Sequence, residues 1–156
     1  MSRPVQRRSR QRQRGATAVE FAMVFPLFFL IFYAIVTFGL IFAVQQNLTL
    51  AATEGARAAL NYIHEPSGSQ AQALTDRANA ARTVAQNFTK WLPNVSVPPP
   101  ASSACSYDPS MYCVTVTVTY PYSQSPLIPA LPLLGFVLPN TLASSATVQL
   151  NPANII

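Results

Sequence analysis

Between residues 21 and 44 the chain reads FAMVFPLFFLIFYAIVTFGLIFAV, without one charged side chain. Coiled as a helix at about 1.5 Å per residue, that run extends about 36 Å, more than the roughly 30 Å of a bilayer hydrocarbon core. Lipid offers no hydrogen-bond partners to a backbone, so a single span has to satisfy its amides internally, as a helix does. The run therefore predicts a transmembrane helix. Arg3, Arg7, Arg8, Arg10, Arg12 and Arg14 stand just ahead of it. An arginine cluster alone could serve a nucleic acid or another acidic surface. Placed directly before an apolar span, it fixes the cytoplasmic side instead, which puts the remainder of the chain outside the cytoplasm. Setting those six aside leaves four Lys+Arg against five acids, so the formal charge of +5 belongs to the leader and no nucleic-acid partner is expected.

With 156 residues, and about a third of them committed to leader and helix, there is room for one small domain with a modest core. Cys105 and Cys113 flank the turn-rich Ser106-Tyr107-Asp108-Pro109-Ser110. An even, closely spaced pair in an oxidising compartment usually bonds, and closing so short a loop stabilises a fold by roughly 2 to 3 kcal/mol. Two cysteines and a distant His64 do not make a four-ligand zinc site, so no metal is expected.

Residues 1 to 14 are too polar to bury anything. They do not form an ordinary secretory signal, because the apolar run behind them is about twice the usual 7 to 15 residues. An acid, Glu20, stands at the start of that run, where a carboxylate is costly and calls for a partner. Pro26 removes a backbone bond to the carbonyl of Ala22 and should kink or loosen the helix locally. After Val44, Gln45-Gln46-Asn47 marks the headgroup zone, and residues 48 to 60 are good helix formers without proline, which predicts a stalk. Ala51, Gly55 and Ala59 recur every fourth residue, as do Ala52 and Ala56. That narrow face admits close approach, either by this chain's own domain or by a neighbouring subunit. Glu54 and Arg57 are spaced for a surface pair.

His64 to Ser69 breaks the helix with proline, glycine and candidate N-cap serines. A second helix follows, with Leu74, Ala78, Ala81, Ala85, Phe88 and Leu92 on one stripe, and Pro93 ends it. Val95 and Val97 alternate before three prolines, and Val114-Thr115-Val116-Thr117-Val118-Thr119-Tyr120 is a strict period-two strand. Residues 127 to 138 are apolar but contain Pro129 and Pro132, so they form a hydrophobic loop, tucked under the sheet, lying on the membrane or covering a partner. Leu142, Ala146, Val148 and Leu150 predict a final strand, and the last six residues give no further signal. The expected architecture is α+β: leader 1–15, transmembrane and stalk helix 16–61, and a small extracytoplasmic domain 62–156 in which an amphipathic helix covers an antiparallel sheet.

No catalytic constellation is visible. His64 has no evident nucleophile, the acids are scattered, and no phosphate loop, Gly-x-Ser-x-Gly elbow or His-Glu-x-x-His occurs. Neither an enzyme nor a cofactor is expected. Triplets starting at Asn47, Asn87 and Asn94 match the glycosylation acceptor pattern, which arises often by chance.

The membrane approach is more informative. Arginines lead to Gly15, then Ala16-Thr17-Ala18-Val19, then Glu20-Phe21 and the apolar run. This resembles the glycine-x4-glutamate-aromatic processing site of type IV prepilins. The wider stretches RGATAVEFAMVFPLFFLIF and NLTLAATEGARAAL are similar to the TadE-like pseudopilins of bacterial tight-adherence pilus assembly, as are the Val-Thr strand, the proline-leucine loop and the closing LASSATVQL. The resemblance implies cleavage after Gly15 by a membrane prepilin peptidase, leaving Ala16 as the new N-terminus. Glycine offers no side chain to obstruct the peptidase. Glu20 would then pair with the ammonium of Ala16 in an adjacent subunit, offsetting part of the cost of holding both charges near lipid. The implied protein is a non-enzymatic minor pilin of the bacterial inner membrane, partnered by the bilayer, the peptidase, the major and other minor pilins, and the assembly platform. The alternative is a permanently anchored envelope protein with a binding or adhesin-type domain.

Overall fold

The fold is taken from a computed structural model that describes residues 12–61, 69–129, 135 and 137–155. Helix α1 (Arg12–Leu60) runs for 49 residues with Pro26 inside it. Helix α2 (Gln70–Thr89) follows, then strands β1 (Ala101–Ala104), β2 (Tyr112–Tyr120) and β3 (Leu142–Leu150) and a short 3-10 helix (Pro152–Asn154). The expected α+β class is borne out. Two compact units are present, Met1–Gly39 and Leu40–Ile156.

In the first unit α1 is apolar without being amphipathic. Phe21, Phe25, Phe28, Phe29, Phe32 and Ile35 are all exposed, a distribution that water does not favour and hydrocarbon does. By length and composition this helix can cross a membrane. Rings one turn apart stack along it: Phe21 on Phe25 at 5.2 Å, Phe25 on Phe29 at 6.1 Å, and Phe28 on Phe32 at 6.3 Å between centroids.

The second unit is built on the sheet β1-β2-β3, antiparallel throughout. The period-two pattern of β2 sends Val114, Val116, Val118 and Tyr120 into the core, while Thr115, Thr117 and Thr119 stay half-buried on the other face. Register is full length against β3, from Tyr112 opposite Leu150 to Tyr120 opposite Leu142. On the outer face the hydroxyls of Thr115 and Thr147 lie 2.8 Å apart. The core also takes in Val44, Leu48, Ala51, Ala52, Ala56 and Ala59 from α1, and Leu74, Ala81 and Ala85 from α2.

Several expectations need correction. Phe88 does not join the buried stripe of α2; Thr89 does, one turn after Ala85, its hydroxyl donating to the Ala85 carbonyl at 3.2 Å. The helix closes at Thr89, before Pro93, and Leu92 stays in the core from the turn that follows. A residue preceding proline disfavours the helical region, so the chain leaves the helix before reaching it. Asn94 then takes a left-handed φ of 58°, which asparagine tolerates, and its amide donates to the Ser125 hydroxyl. The Val95 and Val97 segment makes only an isolated bridge, Ser96 with Thr119, and the third strand comes from Ala101–Ala104, after the prolines. Prolines cannot donate to a ladder, and the pairing resumes as soon as they end. The tail is also not featureless: the Asn151 side chain accepts from the Ala153 amide, and Ile155 enters the core. Most of the predicted break at His64 to Ser69, and residues 130–134 and 136 of the apolar loop, lie outside the described residues. Ser69 itself caps α2, its hydroxyl accepting from the Gln72 amide at 3.4 Å.

Candidate functional site

Gly15, Ala16, Glu20 and Phe21 fall on one uninterrupted helical stretch, and the side chains of Glu20 and Phe21 are exposed. A Cβ added at Gly15 would meet nothing within 4 Å, so no described part of the chain obstructs this position. Ala16 and Glu20 are one helical turn apart. Glu20 is the one charged residue from Gly15 to Thr53, so a charged partner for its carboxylate has to come from outside that stretch.

At the other end of α1 the small residues have a clear physical use. Ala51, Gly55 and Ala59 are buried, and a Cβ at Gly55 would come within 2.9 Å of the Ala81 carbonyl oxygen, 3.0 Å of the Ala85 Cβ and 3.3 Å of Val116 Cγ1. This face is occupied by α2 and β2 of the same unit, at a separation that only glycine permits. Of the two occupants left open from sequence, the intramolecular one fills it here.

Sequence reasoning passed over Arg77. It lies between Leu74 and Ala81 on the buried stripe of α2, is almost fully enclosed, and donates through Nη1 to the carbonyls of Ala59 at 3.2 Å and Leu60 at 3.4 Å. The last carbonyls of a helix have no partner within it and carry its negative pole, so a guanidinium there both satisfies and complements the end of α1. The available signal was a cation in step with the apolar period, three residues after Leu74 and four before Ala81. Arg82 holds the crossing to the sheet in a similar manner, its Nε donating to the Val97 carbonyl at 2.8 Å.

Cys105 and Cys113 are bonded, with an S–S distance of 2.00 Å and Cα atoms 5.0 Å apart. The bridge ties the end of β1 to the start of β2 across the predicted turn. Within that turn the Ser110 amide and hydroxyl both donate to the Asp108 carboxylate, at 3.0 and 2.6 Å. The Ser110 hydroxyl, then its amide, hold the Asp108 pKa below the ordinary carboxylate range. Burial pushes the Tyr120 phenol up from its ordinary value, and its hydroxyl donates to the Ser125 carbonyl. Among the described residues no cluster of three or more His, Cys, Asp or Glu could hold a metal.

Residues 15–57 match the family model of TadE-like proteins. The matched stretch begins at the glycine singled out above and ends within the small-residue face, so the resemblance seen in the sequence is shown over the part that carries its motifs. No curated protein and no solved structure shows a significant match to the chain.

Proposed function

We propose, with the TadE-like character of residues 15–57 as the premise, that this chain is a membrane-anchored minor pilin that helps assemble a tight-adherence pilus. The observation that carries the proposal is the coincidence of that match with Gly15, Glu20 and an uncharged helix over residues 21–44. Residues 1–15 serve as leader, 16–61 as anchor and stalk, and 62–156 as the extracytoplasmic domain. The anchor lies in the bacterial inner membrane with its arginine-rich start on the cytoplasmic side, as the distribution of basic residues supports.

Processing by a prepilin peptidase cuts between Gly15 and Ala16. Because that bond lies within α1, the first turn has to unwind before a peptidase can grip it as an extended segment. Glycine lowers the cost of unwinding, being about 1 kcal/mol less favourable than alanine in a helix interior. The new ammonium of Ala16 and the carboxylate of Glu20 then pair between neighbouring copies and set the axial register of helix packing, with the major pilin, other minor pilins and the assembly platform as partners.

N-terminal sequencing of the protein purified from membranes of peptidase-expressing cells tests this: Ala16 is the expected first residue. An intact Met1 there would overturn the pilin reading in favour of a permanently anchored envelope protein. For the pairing step, Glu20→Gln should abolish crosslinking to the major pilin and pilus output, and unchanged assembly would refute it.

A further inference from the structure

Within the unit Leu40–Ile156, the described large apolar side chains that stay exposed outside α1 are Phe88, Trp91 (58%), Tyr107, Leu127 and Val137 (51%). Four of the five gather at one end. Helix α2 runs antiparallel to α1, since Arg77 reaches the carbonyls of Ala59 and Leu60 while Ala81 and Ala85 face Gly55. Continuing that sense, one residue of α2 for one of α1, brings the end of α2, with Phe88 and Trp91, level with the stretch of α1 from about Gln46 to Leu50. The same end receives the loops around Leu127 and Val137. Asn94 donates to Ser125, the Ser123 amide to the Asn140 carbonyl, and the Gln45 amide to the Ala143 carbonyl at 2.9 Å. Tyr122, Pro126 and Leu138 line one recess there. Tyr107 stands at the opposite end, in the disulfide-closed turn.

Charge follows the same division. Lys90, the chain's only lysine, is exposed between Phe88 and Trp91. The described acids of this unit lie elsewhere: Asp76 beside Arg77, Asp108 in the far turn, and Glu54 paired with Arg57 at 2.9 Å. This end is thus apolar and aromatic, cationic, and without a described carboxylate. It also lies just beyond the last turn of the uncharged run, since Gln45, the residue that follows Val44, donates to the Ala143 carbonyl of this end.

We propose that the rim formed by Phe88, Lys90, Trp91, Leu127 and Val137 seats on the headgroup boundary of the bilayer in which the same chain is anchored, a placement that rests on residues 21–44 spanning that bilayer. An indole places its ring in the boundary layer and its N–H toward water, and an ammonium beside it meets lipid phosphate. A docked protein would have no reason to require aromatics, cation and the end of the apolar run at one level; a lipid surface requires all three together.

Trp91 is the only tryptophan, so it reports on itself. The full chain is reconstituted in phosphatidylcholine–phosphatidylglycerol vesicles whose acyl chains carry bromine either near the glycerol end or near the methyl end. Trp91 emission should be blue-shifted and quenched about twofold more by the shallow bromines than by the deep ones. Emission unaffected by either lipid refutes the proposal, whether acrylamide reaches the ring (water contact) or does not (protein contact). A Trp91→Phe, Phe32→Trp double variant separates the two readings. If its emission is quenched by deep bromines while the native chain's is not, the span stands and the rim proposal fails. If neither responds, the spanning premise itself fails and the rim falls with it.

Discussion

The two halves of α1 are one helix written in two vocabularies. Residues 21–39 use phenylalanine, leucine and isoleucine, and most of these large side chains remain exposed. Residues 51–59 use alanine and glycine, and Ala51, Ala52, Gly55, Ala56 and Ala59 are buried. Size and burial are therefore inverted along the helix. On the proposed reading residues 21–39 face fluid hydrocarbon, where bulk costs nothing and shape is unimportant. Where the surroundings are a fixed helix and strand, bulk is limited by backbone atoms that cannot retreat. Hydrophobicity alone would rank the first half as the better core, yet the second half holds the fold together.

Truncation gives the largest expected difference between the halves. Leu48 is fully enclosed, and Leu48→Ala should destabilise the second unit by about 2 to 5 kcal/mol. Phe28→Ala removes a larger side chain from an exposed site and should leave that stability unchanged. Denaturant unfolding of the detergent-solubilised chain, followed by near-ultraviolet circular dichroism, checks both. Equal losses would show that the first half is packed and end the contrast.

Enlargement gives the reverse and a smaller effect. Gly55→Ala places a methyl 2.9 Å from the Ala81 carbonyl oxygen and should cost about 1 to 3 kcal/mol, because backbone has to move. Gly39→Ala meets nothing within 4 Å and should be neutral or slightly stabilising, as expected from helix propensity. The same unfolding measurement decides. A neutral Gly55→Ala would mean that α1 and α2 are not in close contact.

The smallest effect is electrostatic and lies in the turn that Cys105 and Cys113 close. Asp108 has a folded-state pKa below its unfolded value, so its contribution is present above the ordinary carboxylate range and is lost as pH falls through the lowered value. The protection of the Ser110 amide relative to its intrinsic exchange rate should fall over that acid window while the protection of amides in β2 stays constant. Asp108→Asn should abolish the pH dependence, and an unchanged profile in that variant would remove Asp108 as its cause.

Much of the architecture was legible without a structure. The uncharged run, the Val-Thr alternation of β2, the final strand and the short cysteine loop each declare themselves through local pattern, and the structure places them as expected. Phe88 misled because periodicity specifies a stripe and not its width: at the end of α2 the stripe rotates to Thr89, and the phenylalanine turns outward. Strand β1 was missed because Ala101-Ser102-Ser103-Ala104 has little strand character of its own and pairs only because β2 offers an edge.

What the sequence determined by itself is everything fixed within a few turns of chain: a helix fit for lipid, a glycine and an acid at its head, and a strand with one apolar face. Tertiary structure decided which surfaces meet. It placed Arg77 on the end of α1, brought Ile155 into the core, filled the Gly55 face with α2, and gathered Phe88, Trp91, Leu127 and Val137 at one end. Those outcomes join residues far apart in the chain, and no local pattern encodes them, because their free energy exists only once both partners have been brought together and the loops between them closed.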